Sequence, residues 1–198
     1  MITVLVVTAM TLGLLAFFEP CTVATHTLFS ARVHRQSYLA CCQSLATVWL
    51  TRSLLLAGLL VAAVLVFPQP DWGPYLPSFV LTVMAILYVV SRYAYIPVPH
   101  LEFYRLLPGG QRLPFAVKLG LTLPACTLPL VLVVAGMAVS VDSPGFAVLA
   151  GVVFASMFTA PMVFAAKRGV DEGQRESFGV FARSSPWFTA ALLLGAAL

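Results

Sequence analysis

Apolar residues fall into six runs along the chain, at residues 2–18, 38–67, 78–96, 118–141, 146–166 and a shorter one at 186–198. What separates them is rich in proline and charge. Glu19-Pro20-Cys21 stops the first run, and a weaker stretch carries it on to Arg32. Pro68, Pro70 and Pro74 end the second run, and Pro97 and Pro99 end the third. Pro124 and Pro129 interrupt the fourth from within. None of the runs alternates apolar with polar residues, so a transmembrane β-barrel does not fit. In lipid, a run that is not part of a closed barrel satisfies its backbone groups only as a helix. The pattern therefore predicts an all-α polytopic membrane protein of six transmembrane helices, forming one domain over residues 1–198.

Composition supports that reading. Hydrophobic residues make up 61% of the chain and charged residues 9%, against about 25% charged in an ordinary soluble domain. So few charges cannot cover the outside of a soluble fold. A spanning helix takes about 20 apolar residues, and the stock here serves six. A secreted disulfide scaffold, a disordered chain and a soluble enzyme are excluded. The first basic residue is Arg32, so the first run lacks the positive region of a cleavable signal peptide and is read as a span.

The chain carries a net charge of +4, and its basic residues report orientation rather than nucleic-acid binding. Arg32 and Arg35 lie between runs one and two. Arg92, Arg105, Arg112 and Lys118 lie between runs three and four, and Lys167, Arg168, Arg175 and Arg183 between runs five and six. The two other connections hold Asp71 and Asp142 and no Lys or Arg. Ten of the eleven basic residues thus occupy alternate connections, with Arg52 the exception. The positive-inside rule places those connections in the cytoplasm and both termini outside.

An internal repeat is also expected. Pro20-Cys21-Thr22 is echoed by Pro124-Ala125-Cys126-Thr127. Each motif interrupts the first span of a three-span half, and the halves cover about 1–100 and 112–198. Three spans per half give two inverted three-helix repeats, with broken first and fourth helices marking a functional site near the midplane.

The candidate chemistry sits at those breaks. Proline removes a backbone donor and interrupts the helical ladder. Pro20 opens the first span, so that Cys21 begins a short helix whose dipole favours its thiolate. Pro124 and Pro129 bracket Cys126 in the same way. Two cysteines at equivalent breaks suit a redox pair able to form one disulfide; the plain alternative is that both are small buried hydrophobes. Glu19 adjoins Cys21, and a carboxylate within a bilayer marks function by default; Arg52 is its candidate partner. His26 is read either as a proton relay or as a hydrogen-bonded structural histidine. Cys41 and Cys42, adjacent on a helix and pointing about 100° apart, read as core packing, with a role as metal ligand or relay thiol the alternative. His34 and His100 read as solvated. The chain has no phosphate-cradling loop, no CxxC, no HExxH and no spacing for a four-ligand zinc site, so neither a cofactor nor a bound metal is expected. Pro108-Gly109-Gly110 reads as a turn.

Phe18-Glu19-Pro20-Cys21-Thr22 and Leu123-Pro124-Ala125-Cys126-Thr127-Leu128-Pro129, one cysteine each in spans one and four, resemble the CcdA family and the similar central membrane domain of DsbD. The resemblance covers the whole chain in expected topology but only these stretches in motif. It implies a thiol-disulfide oxidoreductase-like electron transporter of the bacterial-type inner (cytoplasmic) membrane, as in cytochrome c maturation. Cytoplasmic thioredoxin would reduce a Cys21–Cys126 disulfide, and the dithiol would reduce an extracytoplasmic thioredoxin-like protein. The chain departs from the family pattern in three places. Glu19 stands where a small residue is usual, Val23-Ala24-Thr25 replaces a downstream proline, and Ala125 separates Pro124 from Cys126.

Two other readings stay open: a small-solute or metal-ion transporter using the same broken helices, with Glu19 and the thiols as ligands, and a structural subunit of a membrane complex. The orientation is testable alone. A cysteine placed beside Asp71 is expected to react with an impermeant maleimide in intact cells, and one beside Arg112 is not. The opposite labelling would invert the topology.

Overall fold

The computed structural model describes residues 2–67 and 101–168, with 82, 83, 86, 89, 90, 180, 184, 187–191, 194 and 195 besides. The side chains of Pro20, Cys21 and Arg168 lie outside the described set. So do Asp71, Arg92, His100, Arg175 and Arg183, together with most of the third and sixth runs.

Helix α1 (Ile2–Phe17) and helix α2 (Pro20–His34) are separated by Phe18 and Glu19, and the chain bends by 75° between them. Glu19 is the extended N-cap residue of α2, and Pro20 stands in its first turn, where the missing N–H of proline costs nothing. Helix α3 (Tyr38–Val66) runs for 29 residues without interruption, about 43 Å at 1.5 Å per residue. A short antiparallel pair, β1 (Leu101–Glu102) and β2 (Thr122–Leu123), closes the next segment, with Leu101 opposite Leu123. Between them lie two 3₁₀ turns and helix α4 (Phe115–Gly120). The expected turn at Pro108-Gly109-Gly110 forms, with Gly109 at φ 76°, a left-handed value that glycine adopts without a Cβ clash. A 3₁₀ turn (Ala125–Thr127) leads into helix α5 (Leu128–Val141), and helix α6 (Pro144–Arg168) follows.

The second interruption therefore lies over residues 121–127. Pro129 makes no break: it occupies the first turn of α5, a position that suits proline. Arg32 and His34 likewise prolong α2 rather than forming a connection. The described parts are mostly helical. Two helices, Tyr38–Val66 and Pro144–Lys167, are long and apolar enough to cross a membrane, and the bent pair α1–α2 makes a third if it is taken as one span.

Helix α6 is the centre of the packing, against α3, α1 and α2. The seams recur at three- and four-residue steps: Leu5, Ala9, Leu12 and Ala16 on α1, and Leu45, Val48, Arg52, Leu56, Leu60 and Val64 on α3. They meet Ala147, Ala150, Phe154, Phe158 and Met162 on α6. The outward faces are apolar too, with Val4, Val7, Leu50, Leu54, Leu65 and Phe164 exposed. Helices apolar on all sides belong in lipid, where small residues let backbones approach and van der Waals contact replaces the hydrophobic drive. Gly151 shows the approach most clearly. A Cβ on it would lie 2.7 Å from the Cα and N of Ala57, in the α3 backbone.

Gly151→Ala should therefore destabilise the chain by about 1–3 kcal/mol, because a backbone cannot move aside as a side chain can. Gly58→Ala, where the added carbon meets nothing within 4 Å, should be neutral or mildly stabilising through helix propensity. Thermal unfolding of the purified protein in detergent separates the two. Equal effects would mean that α3 and α6 are not in backbone contact.

Candidate functional site

The polar groups of the interior gather around the centre of α3. Arg52 lies fourteen residues from each end of that helix, and its side chain has 0% exposure. Its Nη2 donates to Nε2 of His26 on α2 at 3.0 Å and, at 3.4 Å, to the Leu119 carbonyl in the last turn of α4. Its guanidinium carbon lies 4.1 Å from the centroid of the Phe158 ring on α6. One side chain thus joins α3 to the helix that follows the first interruption, to the helix that precedes the second, and to the central helix.

These contacts fix the state of His26. A guanidinium only donates, so Nε2 of the imidazole must accept. Nδ1 then carries the proton and donates to the Thr22 carbonyl at 2.8 Å. The ring is the neutral Nδ1–H tautomer, assigned from its partners. It is buried between Phe17 and Phe158, with ring centroids 5.7 and 5.4 Å away. Both ring nitrogens are engaged in hydrogen bonds.

A cation within apolar surroundings costs several kcal/mol. A desolvated cation–π contact returns about 2 kcal/mol, and hydrogen bonds to a charged donor about 1.5–3 kcal/mol each. The arrangement is incomplete even so. Arg52 Nε and Nη1, Thr22 Oγ1 and Ser53 Oγ are buried and have no hydrogen-bond partner among the described residues.

Glu19 is also buried, at 1% exposure, in the bend between α1 and α2. Its Oε1 accepts from the Thr189 hydroxyl at 3.3 Å. No ion pair joins Glu19 to Arg52 among the described residues: Arg52 turns to His26 and Leu119 instead.

Cys126 sits half-buried within the 3₁₀ turn, between buried Pro124 and buried Thr127. The Thr127 hydroxyl donates to the Pro124 carbonyl at 2.7 Å and holds the turn closed. Cys126 is disulfide-bonded. Cys41 and Cys42 are free thiols in the first turns of α3. Cys41 packs partly against the core, as expected, whereas Cys42 is exposed. His34 is not simply solvated: its ring lies 2.8 Å from the Ala166 carbonyl near the end of α6, with Nδ1 as donor. That carbonyl is one a helix cannot satisfy internally.

Sequence reasoning singled out Glu19, His26 and Arg52, and the structure buries all three. It missed Phe158, Thr189 and the Leu119 carbonyl. Phe158 is one of fourteen phenylalanines and had no signal; Thr189 lay in a run read only for its length. No family model, no curated protein and no solved structure matches the chain.

The Arg52–His26 pair generates a stability test. His26→Leu removes the acceptor and leaves the buried cation less satisfied, at a cost of about 3 kcal/mol. Adding Arg52→Met to it should recover most of that loss, because a buried polar pair replaced by apolar groups is often neutral. The measurement is a double-mutant cycle of thermal unfolding. Additive losses would show that the two side chains are not coupled.

Proposed function

We propose that this chain carries reducing equivalents across a membrane by thiol–disulfide exchange between Cys21 and Cys126. The observation that carries the reading is the disulfide at Cys126, in a proline-bounded turn between two helices. Cys41 and Cys42 are both free, and Cys21, the cysteine beside the other proline break, is the proposed partner of Cys126. Pro20 and Pro124 interrupt helices beside the two cysteines, and a disulfide buried within an unbroken helix could not be reached by another protein. The two inverted repeats, the six spans and the outside termini belong to the same proposal.

The exchange needs no bound cofactor. The attacking thiolate of cytoplasmic thioredoxin bonds to one sulfur of the pair, and the other leaves as a thiolate and takes up a proton. The second thioredoxin thiol then attacks the first thioredoxin sulfur, closing the thioredoxin disulfide, and gives its proton to the membrane cysteine that it displaces. Thioredoxin ends as a disulfide and the membrane pair as a dithiol: two electrons and two protons have moved. An extracytoplasmic thioredoxin-like disulfide takes them by the same steps in reverse. This places the protein in a bacterial-type inner membrane, with a reduced compartment on one side and an oxidised one on the other.

The test is thiol trapping in membranes. Reduced thioredoxin whose resolving cysteine is replaced should form a mixed disulfide with the wild-type chain. Cys126→Ser and Cys21→Ser should each abolish net transfer, while Cys41→Ser with Cys42→Ser should leave it largely intact. Transfer that survives Cys126→Ser but not the Cys41/Cys42 change would overturn the proposal.

A further inference from the structure

Basic side chains from three separate parts of the chain meet at one end of the helices. The Phe29 and Phe115 rings lie 5.8 Å apart, and the Arg32 guanidinium carbon is 5.7 Å from the centroid of the Phe115 ring. The end of α2 and the start of α4 are therefore neighbours. The His34 contact with the Ala166 carbonyl brings in the end of α6, beside exposed Lys167. The segment from β1 to α4 adds Arg105, Arg112 and Lys118 against one acid, Glu102. A cleft of about 250 Å³ opens in that segment, lined by Tyr104, Arg105, Gln111 and Lys118. The 3₁₀ turns Phe103–Leu106 and Gly110–Arg112 carry three of the four. Gly110 lets the two turns approach, because a Cβ there would overlap the Tyr104 carbonyl. Glu102 accepts from Arg105 Nε and, at 2.8 Å, from the Tyr104 hydroxyl. Lys118 Nζ donates to the Gln111 carbonyl, and no carboxylate is ion-paired with it among the described residues. Directly after Arg105, Leu106 is 80% exposed, and Leu107 and Phe115 are exposed too.

We propose that the cleft between Arg105 and Lys118 binds the phosphate of an anionic phospholipid headgroup, with Leu106 and Leu107 against its acyl chains. Each feature selects part of that ligand. A guanidinium and an ammonium side by side are the two side chains that proteins use for phosphate, one through its planar fork and the other as a point charge. Glu102 offsets one of the two cations, so the cleft retains a single positive charge, which a phosphodiester matches. A zwitterionic lipid is disfavoured, because its own ammonium would be brought up to Arg112, Lys118 and Arg105. The exposed leucines distinguish a lipid from a free phosphate: a soluble anion gives them nothing to cover, whereas acyl chains do. Basic residues next to membrane-spanning helices draw anionic lipid in the same way. The site rests on the membrane reading of the apolar helices and is independent of the cysteine chemistry proposed above.

The experiment uses the full chain in a non-ionic detergent, with phosphatidylglycerol as the probe and phosphatidylcholine of the same acyl chains as its control. Native mass spectrometry counts the lipid retained at matched concentrations. The wild-type protein should hold phosphatidylglycerol roughly tenfold more tightly than phosphatidylcholine. Arg105→Gln combined with Lys118→Gln should bring the two lipids level, and Lys167→Gln, outside the cleft, should keep the preference. Equal retention of the two lipids by the wild-type protein, or an unchanged preference in the double variant, overturns the proposal. Glycerol 3-phosphate, which has the phosphate without acyl chains, is the competitor. Displacement of the lipid at equimolar competitor would assign the cleft to a soluble phosphate and contradict the lipid. Should the double variant fail to fold, phosphatidylglycerol with a photoreactive headgroup decides the matter on the wild-type protein in a phosphatidylcholine excess. Crosslinks concentrated within residues 101–120 support the site, and crosslinks confined to other peptides sink it.

Discussion

A guanidinium in the middle of an apolar helix is the constraint around which the interior is arranged. Arg52 cannot reach water: it lies about 21 Å from either end of α3 at 1.5 Å per residue, deeper than a side chain can snorkel. It must be satisfied by what surrounds it. The surroundings answer with a histidine from α2, a carbonyl from the last turn of α4 and an aromatic face from α6. Three elements are thereby tied to α3 through one side chain.

That constraint depends on the helix interruptions. A continuous α-helix offers its interior carbonyls to its own N–H groups. The Leu119 carbonyl is within reach of Arg52 because α4 ends one residue later. The His26 ring is likewise placed by the 75° bend that sends α2 away from the line of α1. Proline stands at the helix ends beside Cys21 and Cys126, and the end of α4 at Gly120 leaves the Leu119 carbonyl to Arg52. The close approach of α6 to α3 at Gly151 and to α1 at Gly13 holds the frame in which this happens.

Much of this was legible in the sequence. Glu19-Pro20 and Pro124 announced the interruptions, because proline has a definite effect on a helix wherever it falls. The long second and fifth runs gave α3 and α6. Arg52 stood out as the one basic residue outside the alternate connections, but its depth and partners did not. Pairing Glu19 with Arg52 was the natural electrostatic guess. The fold instead brings Thr189 to Glu19 and His26 to Arg52, through separations of 170 and 26 residues that no local pattern encodes. The glycine contacts were silent for a related reason: in an apolar run, a glycine that packs against a backbone reads the same as one facing lipid.

The account turns on which cysteine is bonded to Cys126. Membranes quenched in acid and alkylated, then digested without reductant, give the answer by mass spectrometry. A peptide containing Cys21 joined to one containing Cys126, with Cys41 and Cys42 both alkylated, is the predicted result. Cys126 joined to Cys41 or Cys42 would contradict the conduit at its centre.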